Sequence, residues 1–587
     1  MPYTAPVSEI AQTLSRIARL EDLAATGAFP NFDADLVAPI LEEANKLARD
    51  VLAPLNPIGH KTGATLTDNG VVPAPGFADA YRQFVEGGWM SLSFPEAFGG
   101  QGLPKPLALA VFEMIHGANM AFGLCPLLSF GAIEAILAHG TSEQQQTYLP
   151  KLISGEWTGA MNLTEPQAGS DVGALTTKAV PNGDGSYAIT GQKIFITWGD
   201  HDMTPNIIQL VLARLPDAPA GSRGISLFVV PKFFVNADGS LGERNTFRCI
   251  GLEHKMGIHA SPTCVMEYTN ARGWLVGEEN KGLAAMFTMM NSARLNVGLE
   301  GVAVGEAALQ AGVAYAKERK QGSVPGEKGS VPIIRHPDVQ RMLLTMAAHV
   351  QAARAICYAC GSAADLAEHH PDEATRKTAK AREDLLTPLA KGWSTDRAID
   401  VTNLGVQIHG GMGFMGETVA AQYYLDARIT PIYEGTNGIQ AIDLAGRKLA
   451  MDGGAAMKAM IAEVRDNARE LAGVNEPGFL HLSQSLDQAA DALESATSYM
   501  LAEMNTNRDK GLAAATTYLR LAGDVVGGHF LARSAYQARD AADSEAALIL
   551  ASYFAGDTLA RAQGTARALS EGAEAVSAAA GVLWQTD

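Results

Sequence analysis

Apolar periodicity changes twice along this chain, and that succession restricts what it can fold into. Through the first ~155 residues apolar side chains recur at helical spacing, as in FDADLVAPILEEANKLARDVLAPL. LLSFGAIEAILAHG ends on Gly140, a natural helix stop. Thr141 then opens TSEQQQTYL, with Gln144 three residues on, which is a capping-box pattern. From Thr158 the pattern alternates instead. AVPNGDGSYAITGQKIFITWG alternates on both sides of the turn Asn182-Gly183-Asp184-Gly185, a hairpin signal, and IIQLVLARL, GISLFVVPKF and TCVMEYTN read as further strands. Helical spacing returns at Gly282 and runs to about 448, interrupted by the Gly/Pro loop QGSVPGEKGSVPIIR (321–335). After Gly453 an Ala-rich tail carries four further apolar stripes, which reads as an extra helical bundle. With 587 residues, one core cannot serve the whole chain.

The net charge of −18 argues against a general affinity for nucleic acid or an anionic membrane. Five cysteines in this length form no disulfide framework, so a reducing, cytoplasmic setting is expected. Cys357 and Cys360, in ARAICYAC, read as two small buried helix residues rather than a redox or zinc pair. The opening MPYTAPVSEIAQTLSRIARL has no signal-type apolar core, and no stretch reads as a membrane span. His254, His259, His336 and His409 are scattered, without metal-ligand spacing, so no metal is expected.

Four motifs carry candidate chemistry, each with a plain structural alternative. GGMGFMG holds G-x-G-x-x-G at Gly411, Gly413 and Gly416, but it follows a helical pattern with no βαβ alternation; a glycine-rich helix end against which something packs is the better reading. LTEPQAGSDVG is either a turn with side-chain to backbone hydrogen bonds or a polar rim for a ring or phosphate. KIFITWG puts Phe195 and Thr197 on one face of a strand, an aromatic and a hydroxyl together, though Phe195 taken alone reads as core. In PIYEGTNGIQ, Glu434 is either a solvated turn residue or a carboxylate placed to take a proton.

Taken together, LTEPQAGSDVG, GQKIFITWG, YAKERKQG, QIHGGMGF and IYEGTNGIQ resemble, in order and spacing, the segments of the acyl-CoA dehydrogenases. SFPEAFGGQG and EHKMGIHASPT are similar to that family's segments too, and the resemblance covers about residues 35–448. It implies an α+β multidomain protein: an N-terminal helical domain (1–157), a central β-barrel (158–278) and a C-terminal four-helix-bundle domain (279–448), with an extra C-terminal helical domain (449–587) like that of larger members. It implies FAD as cofactor and α,β-dehydrogenation of an acyl-CoA to the trans-2-enoyl thioester. GIHASPT and YEGTNGIQAIDL most resemble the group acting on 3-methylmercaptopropionyl-CoA, a short thioether substrate of dimethylsulfoniopropionate breakdown.

By resemblance, Glu434 is the base that removes the α-proton while flavin N5 takes the β-hydrogen. Its backbone N–H and a ribityl hydroxyl would hold the substrate carbonyl. Some members carry the base one residue before the arginine of MMNSARLNVG; that position is Ala293 here, which cannot take a proton. Met161, Leu163, Thr164, Ser170, Phe195, Thr197 and Thr436 match flavin-contacting positions. Arg319, Gln407 and Gly411 match positions that serve the FAD of a neighbouring subunit, implying a homodimer or homotetramer. Ser170, Asn291 and Arg294 match substrate-side positions, and an electron-transferring flavoprotein is the implied acceptor. Departures are Gln321-Gly322 where many members continue to an aromatic, His259 for a common arginine, Asn291 for a common aspartate and Gly438 for a common glutamine. Medium- or long-chain acyl-CoA dehydrogenases and oxidases share these motifs. A DNA-binding alkylation-response homologue would need a basic tail, whereas residues 449–587 hold 18 acidic against 10 basic side chains.

Overall fold

The computed structural model describes residues 3–326, 328–474, 476–579 and 582–583. Position 327 of the Gly/Pro loop, and 475, 580–581 and 584–587 of the tail, lie outside the described residues. The first unit is helical, from Val7–Thr13 to Ser142–Ile153, around the buried rings of Phe77, Phe84, Phe112 and Phe122. The capping box is formed: Gln144 N donates to Thr141 Oγ1 at 3.2 Å and Thr141 N to Gln144 Oε1 at 3.0 Å.

The sequence reading of no span-length apolar stretch needs correction. Among the described residues one helix, Met120–His139, is long and apolar enough to cross a membrane, yet 72% of its most apolar window is buried inside the protein. It packs on the strand Thr158–Asn162 and on the long helix Gly282–Glu318, so its all-round hydrophobicity reflects burial on every side.

The alternating region forms a seven-stranded sheet. Its path runs Thr158–Asn162, Ile207–Ala213, Ser226–Pro231, Thr263–Val276, Tyr187–Thr197, Lys178–Pro181, with Phe247–Leu252 paired beside Thr263–Val276. All pairs are antiparallel except the first. The expected barrel does not close as a ladder. Among the described residues isolated bonds join its edges: Ala179 N to Arg214 O (2.8 Å), Arg214 N to Thr177 O (2.9 Å) and Ile194 N to Thr164 O (3.0 Å). The reason lies in the segment between the edges: Thr176 N (2.7 Å) and Thr177 N (3.0 Å) donate to the Glu165 carboxylate, so those amides are unavailable to a neighbouring strand.

Four helices, Gly282–Glu318, Pro337–His369, Glu373–Pro388 and Ser394–His409, make the next unit; the last two are joined by the π-helical turn Leu389–Trp393. Cys357 and Cys360 are buried on the second of these helices, and burial pushes both thiols up. The Gly/Pro loop folds on itself, with Gln321 N on Val331 O at 3.0 Å. GGMGFMG is a helix end continuing into the 3-10 turn Gly410–Phe414, not a strand-to-helix dinucleotide loop. The tail forms helices from Ala455–Ala472 to Ala562–Ala579 and docks through Trp393, whose Nε1 donates to Asp524 Oδ1 at 2.8 Å.

Candidate active site

Glu434 lies between the helices Val419–Ala427 and Asn437–Asp443. Thr436 caps the second helix, its hydroxyl accepting from Ile439 N at 3.3 Å. The chain must therefore reverse just before Thr436, and Glu434 (φ 52°) and Gly435 (φ 85°) both adopt the left-handed region to do so. Gly435 accommodates this without a side-chain clash; a Cβ there would stand 2.9 Å from Gln440 Nε2. Gln440, buried, donates that nitrogen to Gly435 O at 3.1 Å. Glutamate in such a conformation is strained by about 1–3 kcal/mol, an outlier that points to function.

The Glu434 carboxylate is half-buried, and among the described residues no side chain hydrogen-bonds to it. Burial raises its pKa above the ordinary carboxylate value, against the pull of the Lys391 and Arg294 cations. Lys391 comes from the π-helical turn, wholly buried, its Nζ donating to Asn437 Oδ1 at 2.8 Å; burial lowers it to about 7. Arg294, on the long helix, pairs with Asp443 at 3.1 Å. Facing the same group is Glu300, fully buried, accepting from the Tyr433 hydroxyl and lifted by burial to about 8. A carboxylate with raised proton affinity, unpartnered and bounded by cations, is suited to accept a proton in a dry cleft.

The second cluster sits on the sheet. Phe195 occupies a bulge, where Ile194 and Phe195 oppose Val265 alone, and it has φ 59°. The bulge leaves the ring 57% exposed on a strand whose neighbours are packed. Thr197, half-buried, pairs with Thr263. Met161 is half-buried at the end of its strand, its sulfur 3.3 Å from where a Gly131 Cβ would lie. Leu163 and Thr164 follow, half-buried, with Leu163 O and Thr164 O accepting from Lys193 Nζ (3.0 Å) and Ile194 N (3.0 Å). Ser170 is exposed on the rim. An outward aromatic beside a hydroxyl and a half-buried methionine makes a platform for a planar ring. The two clusters are tied together by Asp426, eight residues before Glu434, which accepts from Ile258 N at 2.5 Å, just before the strand that pairs with Thr197.

Arg319, Gln407 and Gly411 are exposed at the other end of the bundle, where His409 stacks on Tyr315 with centroids 4.4 Å apart. Arg319 is the C-cap of the helix that carries Arg294, 25 residues further on, hence roughly 37 Å away along its axis. This set does not converge on Glu434 within the chain. Asn291 is half-buried on the long helix, and His259, which stands in place of a common arginine, stacks on His60 at 4.5 Å. Lys391, Glu300, Asn437 and Gln440 escaped the sequence reading. The available signal was a lone charge in an apolar run, in LTPLAKGW and LNVGLEGV.

Family models match four consecutive segments: the acyl-CoA dehydrogenase N-terminal domain (residues 40–156), middle domain (160–271) and C-terminal domain (280–449), and the acetyl-CoA dehydrogenase C-terminal-like domain (455–580). The chain is 47% identical to a 3-methylmercaptopropionyl-CoA dehydrogenase of Ruegeria pomeroyi, over 92% of each chain. It is 36% identical to a butyryl-CoA dehydrogenase of Syntrophomonas wolfei, over 85% of this chain and 84% of the relative. The structure of a Bacillus anthracis acyl-CoA dehydrogenase complexed with FAD shares the fold, tail included, with TM-score 0.75 and 23% identity over 92% of this chain and 88% of that one. The chain therefore belongs to the acyl-CoA dehydrogenase family and is an FAD-dependent oxidoreductase that dehydrogenates an acyl-CoA.

Proposed function

We propose that Glu434 is the base of this dehydrogenation and that the substrate is a short thioether acyl-CoA, 3-methylmercaptopropionyl-CoA. The observation that carries the first part is a strained, half-buried carboxylate of raised proton affinity with no side-chain partner. The proton α to a thioester is weakly acidic, so its acceptor must be desolvated, and burial provides that. Lys391 and Arg294 pull against that rise, favouring the charged form that must take the proton. Arg294, held by Asp443, stands beside Gly435, a Cβ there lying 3.7 Å from its Nη2. The Glu434 backbone N–H is a donor for the carbonyl on which charge develops. Bound FAD supplies the two-electron acceptor for the β-hydrogen. Phe195, Thr197, Met161, Leu163, Thr164 and Ser170 would hold its ring side, and Thr436 the turn beside it. Asn291 is the proposed pantetheine contact.

The substrate assignment rests on the relative from Ruegeria pomeroyi. Butyryl-CoA is the second reading, favoured by the relative from Syntrophomonas wolfei. The bulky apolar residues that could floor a short acyl pocket are Met90, Phe94, Met120, Phe122 and Met290; the first four are buried in the core and Met290 is half-buried on the long helix. The separation of Arg319, Gln407 and Gly411 from Glu434 supports a homo-oligomer in which they serve a neighbour's FAD. The same corner exposes Met412, Met415 and Phe414, the last 88% exposed, as a face for a second copy. An electron-transferring flavoprotein is the proposed acceptor.

A dye-coupled assay over acyl-CoAs of different length, including 3-methylmercaptopropionyl-CoA, tests the substrate; equal kcat/KM for long chains refutes it. Glu434→Gln should retain yellow FAD and lose nearly all turnover, and full activity in that variant refutes the base. Peroxide formation at the turnover rate in air would make the protein an oxidase.

A further inference from the structure

Burying an acid without an ion pair is unfavourable, so a fold gains nothing from it by itself. Glu300 is such an acid. It lies on the long helix six residues after Arg294, fully buried, and no cation pairs with it within ion-pair distance among the described residues. One carboxyl oxygen accepts from the Tyr433 hydroxyl; the other has no partner. Tyr433 immediately precedes the base, and Glu434 has no side-chain bond of its own to direct it. The direction of the Glu434 carboxyl is therefore set by its backbone, which sits at φ 52° and must be held there. On the far side of the turn Gln440 and Asn437 hold it: Gln440 donates to Gly435 O at 3.1 Å and Asn437 N to Pro431 O at 3.0 Å. On the near side the side-chain tie is Tyr433 to Glu300.

We propose that Glu300 is a positioning residue: its buried carboxyl clamps the Tyr433 hydroxyl and so fixes the left-handed turn that aims the Glu434 carboxyl. This rests on the reading of Glu434 as the base. The charged and titratable groups facing Glu300 are Tyr433, Glu434 and Lys391. Burial, reinforced by Glu434, lifts Glu300 to about 8, while Tyr433 and Lys391 pull the other way. At neutral pH it is then protonated and adds no second negative charge beside the base. Above about pH 8 it ionises against Glu434.

The test uses the holoenzyme and its variants. Glu300→Leu removes the acceptor, Tyr433→Phe removes the donor with little change of shape, and Glu300→Gln keeps a neutral acceptor. Glu300→Leu and Tyr433→Phe should each lower kcat about ten- to a hundred-fold with FAD content unchanged, KM within about twofold, and no additivity in the double variant. Glu300→Gln should stay within about twofold of wild type at pH 7 and lose the inflection near pH 8 of the wild-type profile. In the holoenzyme, the carboxyl stretch identified by infrared difference between wild type and Glu300→Gln should shift in Tyr433→Phe. Unchanged kcat in Tyr433→Phe, failure of Glu300→Gln to preserve rate, or no infrared shift would each overturn the clamp. If Glu300→Leu does not fold, Tyr433→Phe and the infrared shift decide. Glu434→Gln separates the two ideas: inactivity there with full activity in Tyr433→Phe removes the clamp and leaves the base.

Discussion

Replacing Glu165 by Gln should loosen the loop that carries Met161–Ser170, the stretch proposed to meet the flavin. Glu165 and Lys193 form a buried pair at 2.9 Å, 2% and 0% exposed. Glu165 also accepts from Thr176 N (2.7 Å), Thr176 Oγ1 (2.8 Å), Thr177 N (3.0 Å) and Thr177 Oγ1 (2.5 Å). Burial pushes its carboxyl up, but Lys193 and these donors hold it well below the ordinary value, at about 2. Burial lowers Lys193 to about 8 even with Glu165 beside it. Desolvation of the two charges offsets their attraction in a buried pair, whereas removing one partner leaves the other uncompensated. Glu165→Gln removes the countercharge and leaves the Lys193 ammonium buried against neutral acceptors alone, Leu163 O and the new amide oxygen, which costs about 3–5 kcal/mol. In hydrogen exchange on the full holoenzyme, the Thr176 and Thr177 amides should open roughly 10²- to several 10³-fold more readily. FAD should dissociate faster in parallel. The sign with pH follows from the depressed carboxyl: its contribution is present above about 4.5 and is lost as pH falls toward 2. Exchange at Thr176 and Thr177 within about twofold of wild type at pH 7 would refute the account.

Phe195→Gly should relieve the φ 59° strain, stabilising the flavin-free protein by about 1 kcal/mol while weakening FAD retention; thermal melts with and without FAD read both signs. Gly435→Ala places a methyl 2.9 Å from Gln440 Nε2 at φ 85°, so kcat per flavin should fall about tenfold or more with FAD still bound, measured by steady-state turnover. Gly523→Ala would drive a Cβ to 2.2 Å from the Trp393 ring, where the tail docks on the bundle; limited proteolysis should then release the tail at lower denaturant, by a loss of about 1–3 kcal/mol.

Much of the architecture was legible because periodicity is local. The capping box at Thr141, the hairpin around Gly183 and the return of helix at Gly282 each depend on neighbours in sequence, and each appears where the pattern puts it. The seam of the β-unit was not legible. Whether edges pair depends on where the amides of Thr176 and Thr177 go, and their partner Glu165 is a turn residue in sequence but a buried ligand of both in space. The span-length helix Met120–His139 was passed over because its apolar run contains Ser129 and Glu134, which the surrounding core tolerates.

The site divides the same way. The sequence alone marks Glu434 as an acid in a glycine-containing turn, because those properties belong to residue types in a short motif, whereas the capping role of Thr436 appears only in the structure. Tertiary structure decides everything that gives the acid its chemistry. Lys391 and Glu300 approach it from 43 and 134 positions away in sequence, and burial is a property of the assembled helices rather than of any segment. Proton affinity depends on desolvation and on charges a few ångströms distant, neither of which a linear motif contains.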